Sequence, residues 1–393
     1  MFKILNKKSI LLILTVIIII LITSGKKENQ ETIIDPSQNQ TQQDNLNQTN
    51  QGLTQQNKTR TFYMGLTPFP YDITKEAVDN TYQFLSEHTD IIAHHFDSGV
   101  PWPEAYNQQE YHQKVQENIN IRIQHKNNLQ ETYLALTPLN GYRTEIAGYW
   151  AEKENQPQKE NWENITFTDP RAIAAYINFC ETMIQKFDPK YMAYGIEVNM
   201  LADTNPDQFP DYIEFTKQVY NALKEKYPEL PIFLTFQIDY YYGNPETQIP
   251  AVRGLIPYTD ILAVSTYPFT RYPDPDQIPQ DHFSEFASLA EEKPFAVAET
   301  GFPSDSIRIN EAFSVTGTTE WQQEYVEYLL TQCQNLDAEF IVWFCPVDYD
   351  ATWEALLDYG IDPIFKLWID TGLIDEELKE KPALELWDNW LFN

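Results

Sequence analysis

One pattern repeats along the chain from Thr61 onward: a short β-branched or aromatic run, a loop with Pro, Asp or Asn, and a segment with helical periodicity. Eight runs have the composition of strands, namely Phe62–Leu66, Asp90–Phe96, Thr132–Thr137, Tyr191–Glu197, Ile232–Ile238, Asp260–Thr266, Phe295–Glu299 and Glu339–Phe344. Helical periodicity lies between them, as in Thr74–Glu87, Pro170–Phe187, Asp211–Tyr227 and Thr319–Asn335. Strands that alternate with amphipathic helices form parallel βαβ units, and eight such units close into a barrel. The pattern therefore predicts a single α/β domain over residues 61–393, a (β/α)8 or TIM barrel. An open, doubly wound sheet is the alternative, but no Gly-rich phosphate loop follows the first run.

The first sixty residues differ in composition from the rest of the chain. Three lysines precede an apolar run from Ile10 to Ile22, and small residues follow at 23–25. This is the layout of an export signal, so we predict a signal peptide or transmembrane anchor over residues 1–25. Residues 26–60 are rich in Gln, Asn and Thr with little to bury, which predicts a disordered linker. We expect the barrel to be extracytoplasmic, either secreted or held at the membrane through its N-terminal segment alone.

Charge and composition limit what the folded part can bind. The chain has 58 acidic and 27 basic side chains, and its formal net charge is −31. Such acidity repels phosphate backbones and anionic lipids, which excludes nucleic acid and favours a neutral substrate. Aromatic residues make up 14% of the chain, and their flat faces with polar edges suit sugar rings.

Only three cysteines occur in the chain, at Cys180, Cys333 and Cys345. Their odd number and wide spacing match neither a disulfide framework nor a zinc site. We expect them to behave as small buried apolar residues, with one disulfide as the alternative.

Two of the predicted strands end in a glutamate. The fourth run ends at Glu197 and the seventh at Glu299, each after a series of apolar residues. In a (β/α)8 barrel, catalytic groups project from the C-terminal ends of the strands and the loops that follow them. A carboxylate buried at such a position is costly unless it is paired or has a function. Two of them on strands across the mouth from each other indicate catalysis rather than strand capping.

The endings GIEVN and AETGFPS of these two runs resemble a large clan of retaining glycosidases, whose acid/base and nucleophile lie on strands 4 and 7. The second ending is similar to motifs of β-1,3-glucanases and endo-β-1,4-galactanases. Tyr267, after the sixth run, matches the clan's tyrosine that hydrogen-bonds the nucleophile. Trp343, in the eighth run, matches the tryptophan that forms the floor of the clan's sugar-binding site. The segment from Gly372 to Trp387 resembles these enzymes' C-terminal helix, and the resemblance covers Thr61 to Asn393.

The resemblance implies a glycosidase that hydrolyses O-glycosidic bonds of a β-linked polysaccharide or oligosaccharide by double displacement, without cofactor or metal. Glu299 would be the ionised nucleophile, and Glu197 would first donate a proton to the leaving oxygen and then act as base on water. Glu197 therefore needs a raised pKa. A retaining pair stands about 5–5.5 Å apart, whereas an inverting pair stands roughly 6.5–9.5 Å apart. The clan has Asn before the strand-4 Glu, in contact with the sugar 2-hydroxyl, where this chain has Ile196. If the segment is extended, Asn199 shares a face with Glu197 and supplies a similar contact. The alternatives are a divergent family with a different substrate, or a barrel that has lost activity.

Other strand ends supply candidate substrate contacts. One of the histidines at 94 and 95 should point into the barrel, and we favour His95. Trp102, which follows the second run, and Gln237, in the fifth run, are further candidates for substrate contact. The long segment from Leu139 to Thr168 is expected to shape the mouth, and Arg143 within it either reaches the cleft or neutralises nearby acids. We expect a monomer that binds a polysaccharide or oligosaccharide.

Two other functions stay open. A metal-dependent hydrolase is one, because His94, His95 and Asp97 resemble a set of metal ligands. Barrel metal sites usually draw further histidines from later strands, and none occurs at a later predicted strand end. The other alternative is a non-catalytic glycan-binding barrel, in which Glu197 or Glu299 has no chemical role.

Overall fold

The computed structural model describes residues 60–310, 313–357 and 362–393. The predicted signal or anchor segment, 1–25, and nearly all of the predicted linker lie outside the described residues. Among the described residues, no helix is both long enough and apolar enough to cross a membrane.

Eight parallel strands close into a barrel, and all eight coincide with the predicted runs: β1 Tyr63–Leu66, β2 Ile91–Phe96, β3 Glu131–Leu136, β4 Tyr191–Gly195, β5 Ile232–Gln237, β6 Leu262–Thr266, β7 Phe295–Thr300 and β8 Phe340–Trp343. Each strand pairs with the next one along the chain, and β8 pairs with β1, with Tyr63 opposite Phe340 and Leu66 opposite Trp343. The ring closes on itself, so the predicted (β/α)8 barrel is confirmed over the open sheet.

Helices surround the barrel: α1 Lys75–His88, α2 Trp102–Tyr106, α3 Gln113–Gln124, α4 Pro170–Phe187, α5 Met200–Thr204, α6 Phe209–Lys226, α7 Ile238–Gly243, α8 Pro245–Leu255, α9 His282–Ala287, α10 Thr319–Asn335, α11 Asp350–Leu357 and α12 Pro382–Leu391. Short 3-10 helices span Ile256–Tyr258, Pro268–Thr270, Pro275–Gln277, Ser288–Ala290 and Pro363–Trp368, and Ile307–Arg308 pairs antiparallel with Ser314–Val315. The start of α4 is explained by its sequence: Asp169 accepts a hydrogen bond from the Arg171 N–H, and Pro170 occupies the first helical position.

The apolar core has an inner and an outer part. The inner part fills the barrel with side chains from alternate strand positions, namely Ile91, Ala93, Tyr133, Ala135, Tyr191, Ala193, Ile196, Phe233, Ile261, Ala263, Ala296, Ala298, Phe340 and Val342. The larger outer part lies between the strands and the helices. All three cysteines are buried and unpaired, as expected for small apolar residues, and the alternative of one disulfide is not realised.

The pairing register shifts by one residue just before each of the two glutamates. Along β4 the chain advances from Ala193 to Gly195 while β5 advances by one residue. Along β7 it advances from Val297 to Glu299 while β6 advances by one residue. Such bulges re-aim the side chains that follow them and are frequent beside active sites. Strict in-and-out alternation therefore fails at Glu197 and Glu299.

Candidate active site

Glu197 lies two residues beyond the end of β4, in a turn that β5 fixes. Its backbone is left-handed, with a φ of 52°, which is uncommon for a residue other than glycine. Its N–H donates to Thr235 Oγ1 at 2.9 Å, and the Val198 N–H donates to the Thr235 carbonyl at 3.1 Å. The side chain is 19% exposed. The turn thus presents a largely buried carboxyl at the C-terminal mouth of the barrel.

The guanidinium of Arg143 lies beside Glu197. Its Nη2 is 3.5 Å from Glu197 Oε2, and its Nη1 donates to Asp97 Oδ2 at 2.7 Å. Only 3% of Arg143 is exposed. Burial lowers the pKa of Arg143, but the charges of Asp97 and Glu197 outweigh this effect and raise it. Arg143 therefore stays cationic, and it both reaches the site and neutralises acids there.

Glu299 lies near the end of β7, and each of its oxygens has a partner. The Tyr267 hydroxyl donates to Oε1 at 2.7 Å, as the resemblance implies, and His95 Nδ1 lies 3.3 Å from Oε2. The Glu299 side chain is 20% exposed. Of the two adjacent histidines, His95 is the one that points into the barrel, as predicted.

The two carboxyls have opposite pKa shifts. Burial raises the pKa of Glu197 to about 7; the charge of Arg143 opposes this, and the charges of Glu299 and Asp97 add to it. Burial also raises the pKa of Glu299, but the His95 and Tyr267 hydrogen bonds and the Arg143 charge outweigh it, so this pKa is lowered. The charge of Glu299 acts on Glu197, so the two carboxyls share one site, and the shifts favour a protonated Glu197 beside an ionised Glu299. Pairs of acids pushed apart in this way are typical of acid and base roles.

The prediction that Glu197 and Asn199 share a face of an extended segment is wrong, because the chain turns after Gly195. Asn199 has helical backbone angles at the start of α5, and its side chain is fully buried. Its amide donates to the Gln237 carbonyl at 3.0 Å and to the Gln248 side chain at 2.7 Å, and its oxygen accepts from the Gln237 N–H at 2.8 Å. Asn199 ties β4 to β5 and does not face a substrate.

Two tryptophans predicted as substrate contacts are buried in the outer core. Trp343 is fully buried against Tyr325 of α10, and its Nε1 donates to the Thr371 carbonyl at 2.8 Å. Trp102 is also fully buried, and its Nε1 donates to the Ala147 carbonyl at 3.0 Å. Both predictions are wrong, because neither side chain has surface left for a ligand.

Gln237 has a local structural role at the end of β5. Its Oε1 accepts from the backbone N–H groups of Asp239 at 2.7 Å and Tyr240 at 3.1 Å, which caps α7. Its Nε2 donates to Asp239 Oδ2 at 3.1 Å. A substrate contact by Gln237 stays a prediction.

Two aromatic residues at the mouth were missed by the sequence analysis. Phe344 is half-buried at the next inward position after Phe340 and Val342 of β8, and its ring lies 5.3 Å from that of Phe69. Trp368 is half-buried, with its ring 5.4 Å from that of Tyr267. The period of two along β8 is the signal that selects Phe344 over Trp343. Trp368 has no strand to place it, so the sequence offers no comparable signal.

His94 and His95 point to opposite faces of β2. His94 is fully buried beside Phe187, with a ring separation of 5.0 Å, whereas His95 contacts Glu299 inside the barrel. Because the two rings diverge, His94, His95 and Asp97 do not converge on one ion. The arrangement therefore does not support the metal-dependent alternative.

Comparison with known proteins gives a fold but no sequence family. No protein-family model matches the sequence, and no curated protein matches it.

Solved structures with the same fold include a variant of GH5_18 from Streptomyces cattleya in complex with Manβ1-4GlcNAc. Its TM-score is 0.62 at 13% identity, with 84% of this chain and 80% of that chain covered. They also include an exo-β-1,4-mannosidase from Opitutaceae bacterium strain TAV5. Its TM-score is 0.58 at 15% identity, with 84% of this chain and 59% of that one covered. This chain thus spans less than two thirds of that mannosidase's length. At these identities the similarity shows a shared (β/α)8 fold, one found among glycoside hydrolases.

Proposed function

We propose that this protein is a retaining glycosidase that hydrolyses a neutral β-linked oligosaccharide or polysaccharide, with Glu299 as nucleophile and Glu197 as acid/base. The observation that carries the proposal is a pair of largely buried carboxyls at the C-terminal mouth of one barrel, Glu299 held by Tyr267 and His95 and Glu197 beside Arg143. Their pKa shifts of opposite direction agree with it. The named activity of the mannosidase with the same fold supports the choice of β-glycosides.

The mechanism follows from the two protonation states. Ionised Glu299 attacks the anomeric carbon as Glu197 gives its proton to the leaving oxygen, so the glycosidic bond breaks and a glycosyl-Glu299 ester forms. Glu197, now ionised, takes a proton from water, and the water oxygen displaces Glu299 from the anomeric carbon. The Tyr267 hydrogen bond favours the ionised form of Glu299 before attack and after release.

The charges at the site favour a neutral sugar. A uronic acid would bring a further negative charge to a mouth that already contains the carboxylates of Asp97 and Glu299. The Arg143 guanidinium is already bonded to Asp97 at 2.7 Å. Like charges in a poorly solvated site are mutually destabilising.

A screen of fluorogenic β-glycosides and of β-linked mannan, galactan and glucan oligosaccharides tests the proposal. We expect turnover by the wild type, loss of at least about a thousandfold in kcat for Glu299→Ala, and product of retained anomeric configuration by proton NMR. Equal turnover by both proteins would remove Glu299 from the reaction. Binding without turnover would favour a glycan-binding barrel, and an inverted product would replace the nucleophile role by a base role.

We also propose that the barrel acts outside the cytoplasm, on the basis of the signal-like pattern in residues 1–25. Expression of the full chain followed by cell fractionation tests this. Recovery of all the protein in the cytoplasm would contradict it.

A further inference from the structure

Three ionisable side chains from consecutive strand ends form a continuous chain of contacts. Asp97 follows β2, Arg143 follows β3 and Glu197 follows β4. Arg143 Nη1 lies 2.7 Å from Asp97 Oδ2, and Arg143 Nη2 lies 3.5 Å from Glu197 Oε2. Asp97 and Arg143 have no role in the double-displacement mechanism given above.

Arg143 is held in this position by the protein itself. Its backbone is left-handed, with a φ of 54°, and its N–H donates to the Asn140 carbonyl at 2.8 Å. Its Nη1 also donates to that carbonyl, at 3.1 Å. Its own carbonyl accepts a hydrogen bond from the Thr204 hydroxyl at the end of α5, the helix that follows Glu197. The guanidinium is therefore placed before any substrate binds.

We propose that Arg143 and Asp97 are positioning residues for Glu197, and that together they set the pH range over which Glu197 keeps its proton. The inference rests on the proposed function for its catalytic meaning, since it concerns the acid/base of that reaction. Arg143 orients the Glu197 carboxyl. The negative charge of Asp97 offsets part of the positive charge of Arg143, so that the guanidinium does not drive Glu197 to ionise.

The contact geometry explains the balance. The guanidinium makes its shorter contact with Asp97, at 2.7 Å, and its longer contact with Glu197, at 3.5 Å. A cation alone at that distance favours the ionised carboxyl, whereas a nearby anion favours the protonated one. The charged and titratable groups that act on Glu197 or respond to its charge are Arg143, Asp97, His95, Glu299, Tyr240 and Tyr267. Of these, Arg143 and Asp97 are bonded to each other and have opposite signs.

The opposite signs give a test in two directions. Carbon NMR of protein labelled at the glutamate carboxyls, with the Glu197 signal assigned by its loss in Glu197→Gln, follows the titration directly. We expect Arg143→Met to raise the titration midpoint of Glu197 by about one pH unit and Asp97→Asn to lower it by about one. The alkaline limb of kcat/KM should move in the same two directions. Arg171→Met is the matched control, because it removes an Arg–Asp pair with Asp169 on the surface, and it should move neither.

Arg143→Lys separates charge from orientation. It keeps a cation but loses the planar fork that joins two carboxylates, so we expect a midpoint near that of wild type and a lower kcat with little change in KM. If Arg143→Met does not fold, Asp97→Asn and Arg143→Lys still decide the outcome. Midpoints that stay fixed, or that move in one direction for both Asp97→Asn and Arg143→Met, overturn the proposal. The titration needs no turnover, so an inactive protein with opposite midpoint changes would refute the glycosidase function and leave the charge balance intact.

Discussion

His95 Nδ1 lies 3.3 Å from Oε2 of Glu299, the carboxylate oxygen to which the Tyr267 hydroxyl does not donate. The carboxylate is thus held at both oxygens by side chains from two different strand ends. Burial alone would raise the pKa of Glu299, and these two contacts are among the causes that reverse it. The contacts with His95 and Tyr267 therefore favour the ionised state of the proposed nucleophile.

Replacing His95 by leucine should raise the pKa of Glu299, since a group that favours the charged form is lost. The nucleophile must be ionised, so the acidic limb of kcat/KM should move to higher pH. A hydrogen bond to a charged group is worth about 1.5–3 kcal/mol, which predicts a loss of about 10- to 100-fold in kcat/KM. His94→Leu makes the same change on the other face of β2 and should leave the pH profile in place. An unmoved acidic limb in His95→Leu would count against this contact.

Tyr267→Phe removes the 2.7 Å hydrogen bond to Glu299 Oε1 and keeps the ring. We expect the acidic limb to move to higher pH here too, with a loss of about 10-fold or more in kcat. Tyr227→Phe is the control, because its buried hydroxyl has no hydrogen-bond partner within residues 60–310, 313–357 and 362–393, and it follows the C-terminus of α6. Similar pH profiles for both variants would show that Tyr267 does not tune Glu299.

The raised pKa of Glu197, about 7, predicts where activity is lost on the alkaline side. The leaving oxygen needs the proton of Glu197, so kcat/KM should fall as pH rises through about 7. Glu197→Gln should lack this limb. Its defect should shrink for a 2,4-dinitrophenyl glycoside, because such a leaving group needs little protonation. An equal defect for good and poor leaving groups would contradict the acid role.

His94 predicts a pH dependence of stability rather than activity. Burial lowers its pKa well below 6.5, so below that pH the unfolded chain binds a proton that the folded chain does not. The free energy of unfolding should fall with decreasing pH, by up to about 1.4 kcal/mol per pH unit from this group. Among the residues that the structure describes, neither ring nitrogen has a hydrogen-bond partner, so His94→Leu should be stable by comparison and lose that contribution. Urea unfolding of the wild type and of His94→Leu at pH 5 and 7 measures their free energies of unfolding. An equal change with pH in the two proteins would contradict the assignment to His94.

Lys381 forms a buried ion pair with Asp348, with 2.5 Å between Nζ and Oδ2, and also donates to Ser304 Oγ at 2.6 Å. Removing one partner leaves the other charge buried and unpaired, so Lys381→Met should cost roughly 3–5 kcal/mol of unfolding free energy. Lys379→Met is the control, because its pair with Glu377 is exposed and such pairs contribute about 0–1 kcal/mol. Chemical denaturation compares them, and a similar small loss in both would show that the buried pair is not structural.

The barrel was predictable from sequence because strand and helix periods alternate eight times, and each strand appears where its run was predicted. The two glutamates were predictable because they end apolar runs. The side chains around them were harder to place. One-residue register shifts in β4 and β7 change which residues face the mouth. No local residue pattern predicts these shifts. Asn199 was misplaced because an extended strand was assumed where the chain turns after Gly195. The predictions for residues 1–25 stay predictions.

Ile196, directly before Glu197, belongs to the apolar interior of the barrel. Hydrocarbon beneath the two carboxyls screens their mutual field poorly compared with water. The charge of Glu299 therefore acts strongly on Glu197, and a change in the ionisation of one acid should shift the pKa of the other.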